Sequence, residues 1–220
     1  MPREDQRGST DDLGSIGMFG DECRRTLAYQ LESISELDAK AVSVFRTTVL
    51  IGALFLAVLS VLAETSPQML SALANRYTGL GLTTLLVSSS MAVLAHTASR
   101  LETGIHPQHF VDVSDAGYTP LELEWGLTAG YTHWLARNQR TNMKKAALLT
   151  GSMVVLVAAL VHISLGVYVA VVDRHTVALV LVSWIGLGLF TAASDLAGQV
   201  RTIHTARETP ENLYEKRDDD

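Results

Sequence analysis

The 220-residue chain has one cysteine, five prolines and few aromatic residues (6%). With Cys23 alone, no intramolecular disulfide can form, and nothing speaks for an oxidising compartment. The prolines, at positions 2, 67, 107, 120 and 210, all avoid the long apolar blocks, where a helix could therefore run unbroken. Walker, GxSxG, HExxH, CxxC and GxGxxG patterns are absent. The apolar blocks carry no carboxylate at mid-depth and no proline break, which argues against a coupled secondary transporter. Polar residues do not converge in one layer, so neither an enzyme nor a cofactor is expected.

What the chain does have is apolar residue, 48% of it, partitioned into four blocks with the charges between them. The mean hydropathy of +0.22 hides that partition. Net charge is −6, with acids gathered at the ends: Glu4, Asp5, Asp11, Asp12, Asp21 and Glu22 near one, Asp218, Asp219 and Asp220 at the other. Such runs are usually solvated, so residues 1–20 and 208–220 are expected to be disordered acidic segments. Their sign argues against a nucleic-acid partner. The polar, acidic stretch ahead of the first apolar block is not the pattern of a secretory signal peptide.

A membrane span needs about 20 mostly apolar residues. Four segments qualify: 47–63, 79–98, 146–172 and 176–199. Inside lipid the backbone must satisfy its own hydrogen bonds, so each is expected to be a helix. The third and fourth are separated by Asp173, Arg174 and His175 and should form a tight hairpin. Arg76 and Arg174 are the only basic residues in the two short connections on one side. The rest lie in the N-terminal segment, the middle loop and the tail, which places both termini and that loop in the cytoplasm. The expected class is all-α: a multi-pass cell-membrane protein, four transmembrane helices in an antiparallel bundle spanning residues 21–207, with cytoplasmic helical extensions.

Two extensions are legible. Leu27, Leu31, Ile34, Leu37, Ala41 and Val44 form one apolar stripe, and no proline or glycine separates it from the first span. One helix from about residue 21 to 63 follows. Thr119-Pro120-Leu121-Glu122 is a capping box with proline at the first helical position. The helix behind it carries Leu127, Tyr131, Trp134 and Leu135 on one side and can run into the third span. It either extends the bundle or lies on the membrane surface. Residues 104–118 are expected to be a loop, and Thr209-Pro210-Glu211 to start a short tail helix.

His162 lies about ten residues from the outer end of its span, roughly 15 Å deep. Ala158, Gly166 and Ala170 share its face, the small-residue pattern of a helix contact. Ser88, Ser89 and Ser90 of the second span, with Ser183 and Trp184 of the fourth, fall at similar depth. Two readings fit this candidate polar layer: passage of protons or ions, or a neutral histidine bonded to a serine that fixes helix register. Asp195 lies about 13 Å deeper along the normal, too far to pair with His162, and is expected to meet Lys144 or Lys145 at the inner interface. Asp38 and Lys40, two residues apart, cannot face each other on a helix and should each meet another one. His106, His109 and Asp112 have metal-ligand chemistry but sit in the proline-containing loop without a second ligand cluster, so no metal is expected.

The amphipathic helix, then Leu37-Asp38-x-Lys40-Ala41, then a span, together with Trp125, Tyr131, Trp134 and Asn138 before the third span, resembles uncharacterised four-helix membrane proteins of halophilic archaea. That resemblance covers most of the chain. The Asp-x-Lys-Ala approach to the first span is also similar to the membrane domains of Pycsar-type and SLATT-type antiphage effectors, over about 30 residues. The second resemblance implies action on the membrane when a partner senses a nucleotide. Neither implies a catalytic residue. The leading expectation is a non-enzymatic membrane protein, in contact with the lipid bilayer, that oligomerises or binds a cytoplasmic protein partner. The alternative is a pore-forming or membrane-perturbing effector under cytoplasmic control.

Overall fold

The computed structural model describes residues 5–97, 117–172, 177–194, 198 and 201. They form five principal helices: α1 (Asp5–Thr65), α2 (Pro67–Leu73), α3 (Arg76–Thr97), α4 (Pro120–Val172) and α5 (Val177–Ala193). Helices α1, α3 and α4 are long and apolar enough to cross a membrane, and α5 is a shorter apolar helix. The all-helical class is as expected, and three long apolar helices are compatible with a multi-pass membrane protein.

One periodicity organises the three long helices. On α1 the covered positions are Gly20, Cys23, Leu27, Gln30, Ile34, Leu37, Ala41, Val44, Thr48, Ile51 and Phe55. On α3 they are Thr78, Gly81, Leu85, Ser88, Ala92 and Ala95. On α4 the same alternation of three and four runs through Thr128, Asn138, Lys145, Leu149, Ser152, Ala159 and Gly166, with half-buried residues between. A 3.5-residue repeat is that of left-handed, coiled-coil-like packing. The seams mix small and polar side chains with a few large apolar ones such as Ile34, Phe55, Leu85 and Leu149, whereas Leu50, Leu54, Leu56 and Leu86 point outward, each at least 60% exposed. Large apolar residues outside and small ones inside are what a hydrocarbon solvent permits.

The chain divides into two compact units, Met1–Glu36 with Ser99–Asn142, and Leu37–Ala98 with Met143–Asp220. In the first unit α1 and α4 run parallel. A Cβ added at Gly17 would stand 3.2 Å from Glu124 Oε1, one at Gly20 would stand 3.8 Å from Thr128 Oγ1, and Arg24 Nε donates to Tyr131 Oη at 3.3 Å. That bond, first among its causes, holds the exposed Arg24 guanidinium above its ordinary pKa. Gln30 Nε2 donates to the Leu135 carbonyl and Asn142 Nδ2 to the Gln30 carbonyl. In the second unit a core of Ala41, Val44, Ala92, Ala95 and Leu149 draws on α1, α3 and α4.

Some expected elements stand as read and others differ. Helix α1 begins at Asp5, inside the segment expected to be disordered. Ile16 is half-buried and Gly20 buried, so the covered positions of α1 extend upstream to residue 16. Helix α2 was not foreseen; Pro67 at its first turn suits a helix start. The aromatic helix and the third span are one helix, α4, whose lower part pairs with α1. The core cluster of the second unit draws on α1, α3 and α4, and no described residue of α5 is buried. The tail and most of the middle loop, with His106, His109, Asp112 and Thr209 to Glu211, lie outside the described residues.

The capping box is formed: Thr119 N and Oγ1 both donate to Glu122 Oε2 at 2.8 Å, and Glu122 N donates to Thr119 Oγ1 at 3.3 Å. Glu122 is well outside the apolar block of α4. The Thr119 backbone bond, then its hydroxyl, holds the Glu122 carboxyl below its ordinary pKa of 4.5. A depressed carboxylate stabilises the helix start fully above its unfolded pKa, and loses that contribution as pH falls through the lower folded value. Amide protection at Thr119 and Glu122 should therefore fall on acidification below about pH 4. Glu122→Gln should retain the capping geometry and lose the pH dependence; an unchanged acid profile in that variant would contradict the assignment.

Candidate functional site

The residues that could carry function in the second unit form three levels along α4. The first is ionic. Lys145 is 1% exposed, and its Nζ donates to Asp38 Oδ1 of α1 at 2.6 Å. His96, in the last turn of α3, brings Nδ1 to 3.8 Å from the same oxygen. The long lysine stem crosses the apolar seam, and its charge is met where polar sequence gives way to apolar. Asp38 does meet another helix, as expected. Lys40 and Lys144 are exposed. Asp195, the partner expected for Lys144 or Lys145, lies outside the described residues.

The second level is a serine pair. Ser88 Oγ donates to the Ser152 carbonyl at 2.8 Å, Ser152 Oγ donates to the Ser88 carbonyl at 2.8 Å, and the hydroxyls are 3.2 Å apart. Both residues are fully buried. Each hydroxyl reaches the other helix's backbone, which only a small residue at a close crossing can do. Ser89 is half-buried, and Ser90 turns outward to bond the Leu86 carbonyl of its own helix. Ser152 was missed from sequence, although it sits seven residues beyond Lys145 on the same seam.

The third level holds His162, 4% exposed. Its Nδ1 lies 2.6 Å from the Ala158 carbonyl oxygen one turn back, which requires the proton on Nδ1. Nε2 is buried without a hydrogen-bond partner. Trp184 of α5 meets the ring edge-on, centroids 5.4 Å apart. His162 is ten residues, about 15 Å, beyond Ser152 along α4. The expected layer of His162 with Ser88, Ser89 and Ser90 is therefore not formed: Trp184 belongs to it and the serines do not. Ser183 bonds the Leu179 carbonyl on its own helix.

Glycines set the α3–α4 distance around this level. A Cβ at Gly81 would stand 2.8 Å from Ile163 N, and one at Gly166 would stand 2.8 Å from Thr78 N. Asn75, also missed from sequence, ties the same crossing. Its Oδ1 accepts from Tyr77 N and Thr78 N at the start of α3, and its Nδ2 donates to the Gly166 carbonyl at 2.8 Å. Among the described residues no group of three His, Cys, Asp or Glu could hold a metal. Protein-family models, curated proteins and solved structures yield no match to the chain.

Removing one partner of a buried pair leaves a bare charge. Asp38→Asn should therefore cost about 3–5 kcal/mol, and Asp38→Leu with Lys145→Met should recover most of it. Denaturation in detergent micelles measures both. A double variant no more stable than Asp38→Asn would show that the pair supplies net stability of its own.

Proposed function

We propose that the protein is a non-enzymatic membrane scaffold. Helices α1, α3, α4 and α5 cross the cell membrane, both termini and the middle loop are cytoplasmic, and the parallel α1–α4 pair of the first unit is the surface that oligomerises or receives a cytoplasmic protein. The observation that carries this reading is the length of α1 and α4. Each continues without a break from an apolar block into a polar one, with covered residues at heptad-like spacing in each stretch. The excess of Lys and Arg in the connections assigned to the inside supports the orientation. The ionic and serine levels support a structural role, because each is satisfied across neighbouring helices, and the three levels do not converge on one point.

A Cys23→Ser variant with a single cysteine at Gln68 should react with a membrane-impermeant maleimide on intact cells, and one at Glu208 only after lysis. The reverse pattern overturns the orientation. Native Cys23 is buried, so crosslinking is best done from a cysteine replacing the exposed Tyr29 in the same background. A strictly monomeric protein with no copurifying partner would overturn the scaffold. Dye release from liposomes holding the purified chain, reduced by His162→Leu, would favour the pore or effector instead.

A further inference from the structure

In the first unit the α1–α4 seam buries few large apolar side chains. Leu27 and Ile34 are buried on α1, while Gly20, Thr128 and Asn138 occupy neighbouring core positions. Larger apolar groups lie outside it: Phe19 is 53% and Trp125 61% exposed. With Ile16 and Thr128 they line a shallow groove of about 190 Å³ along one edge of the helix pair. Single exposed apolar residues are ordinary, but two aromatics beside one groove mark an interaction surface.

The charge around the groove selects its occupant. Glu22 stands three residues after Phe19 and Glu122 three before Trp125, so each shares a face with its aromatic neighbour. Both are exposed. No Lys or Arg stands three or four residues from either aromatic. Glu22 approaches Arg25 only at 4.0 Å in an exposed pair, which leaves its charge available. An anionic inner leaflet repels such an edge. A two-fold contact with a second copy would press this acidic edge against itself. A groove between two helices accepts a third helix through anchors at helical spacing.

From this edge we infer that the Ile16, Phe19, Trp125 and Thr128 groove docks a basic amphipathic helix of a partner protein. Its apolar face lies on Phe19 and Trp125, and its lysines or arginines lie beside Glu22 and Glu122. The inference rests on the scaffold reading and names the chemistry of the partner.

The probe is a labelled 18-residue amphipathic peptide of Leu and Lys, with a Leu and Glu counterpart, added to the full chain in nanodiscs of neutral lipid and followed by fluorescence anisotropy. The Lys peptide should bind saturably, more weakly at high salt. Trp125→Ala should weaken it at least tenfold and Glu22→Gln with Glu122→Gln severalfold, with Tyr29→Ala near wild type. Gln at 122 keeps the capping box, so the charge effect is separable from unfolding. No binding of the Lys peptide, equal binding of the Glu peptide, or indifference to Trp125→Ala would overturn the inference. So would a dimer that Trp125→Ala dissociates, since a second copy would then fill the groove. Crosslinking from position 29 is read in the same nanodiscs, so an oligomer that ignores the peptide refutes the docking site while leaving the scaffold standing.

Discussion

The close crossing of α3 and α4 is the constraint on which the second unit depends. Lipid tails are as apolar as leucine, so apolar side chains gain little by leaving lipid for a helix interface. What remains is contact at short range and hydrogen bonding across it. Gly81 and Gly166 leave no room for a methyl group against the opposing backbone, and Ser88 and Ser152 convert the same proximity into reciprocal bonds. Each such bond is worth less than in an idealised dry core, about 0.6 kcal/mol on average in membranes. Geometry therefore matters more than the sum. A larger residue at any one of these positions would push the helices apart and forfeit the others together. Asn75 shows the coupling, since one side chain caps α3 and bonds the carbonyl of Gly166.

At the other end of that crossing the logic is electrostatic. A lysine in the core position of a helix seam is costly, and it is retained where Asp38 of α1 meets it, with His96 of α3 beside the same carboxylate oxygen. An ion pair of this kind contributes little net stability against an apolar substitute but penalises every arrangement that separates the partners. It fixes the register of α1 on α4.

Much of this was legible in the sequence for a physical reason. Helix length and the apolar blocks are local properties of composition, and the capping box at Thr119 is a local pattern with local consequences. The pairing of Asp38 with a different helix was legible because two residues two apart cannot meet on one helix. The serine layer was not. Ser88, Ser89 and Ser90 are equivalent by composition, and only the 3.5-residue repeat of α3 singles out the first as the one that faces α4. Depth counted along a span likewise put His162 level with serines that stand about 15 Å away along the helix. Counting residues gives height in one helix and says nothing of how a neighbouring helix is shifted beside it.

On the membrane reading proposed above, the two units solve the same packing problem in different solvents, and the difference explains their cores. In the second unit the outward face is apolar, so small residues inside suffice to distinguish the seam from the lipid side. In the first unit the outward face is polar, and water would ordinarily drive large apolar residues into the seam. Yet Gln30, Asn138 and Asn142 stand near or within it, and Phe19 and Trp125 remain outside. Polar residues at core positions of a helix pair sacrifice stability for register and partner number. A parallel pair built this way is specified more than it is stabilised. Its apolar surface is then spent at the edge, where another helix can use it, and the acidic residues beside that edge decide which helix that is.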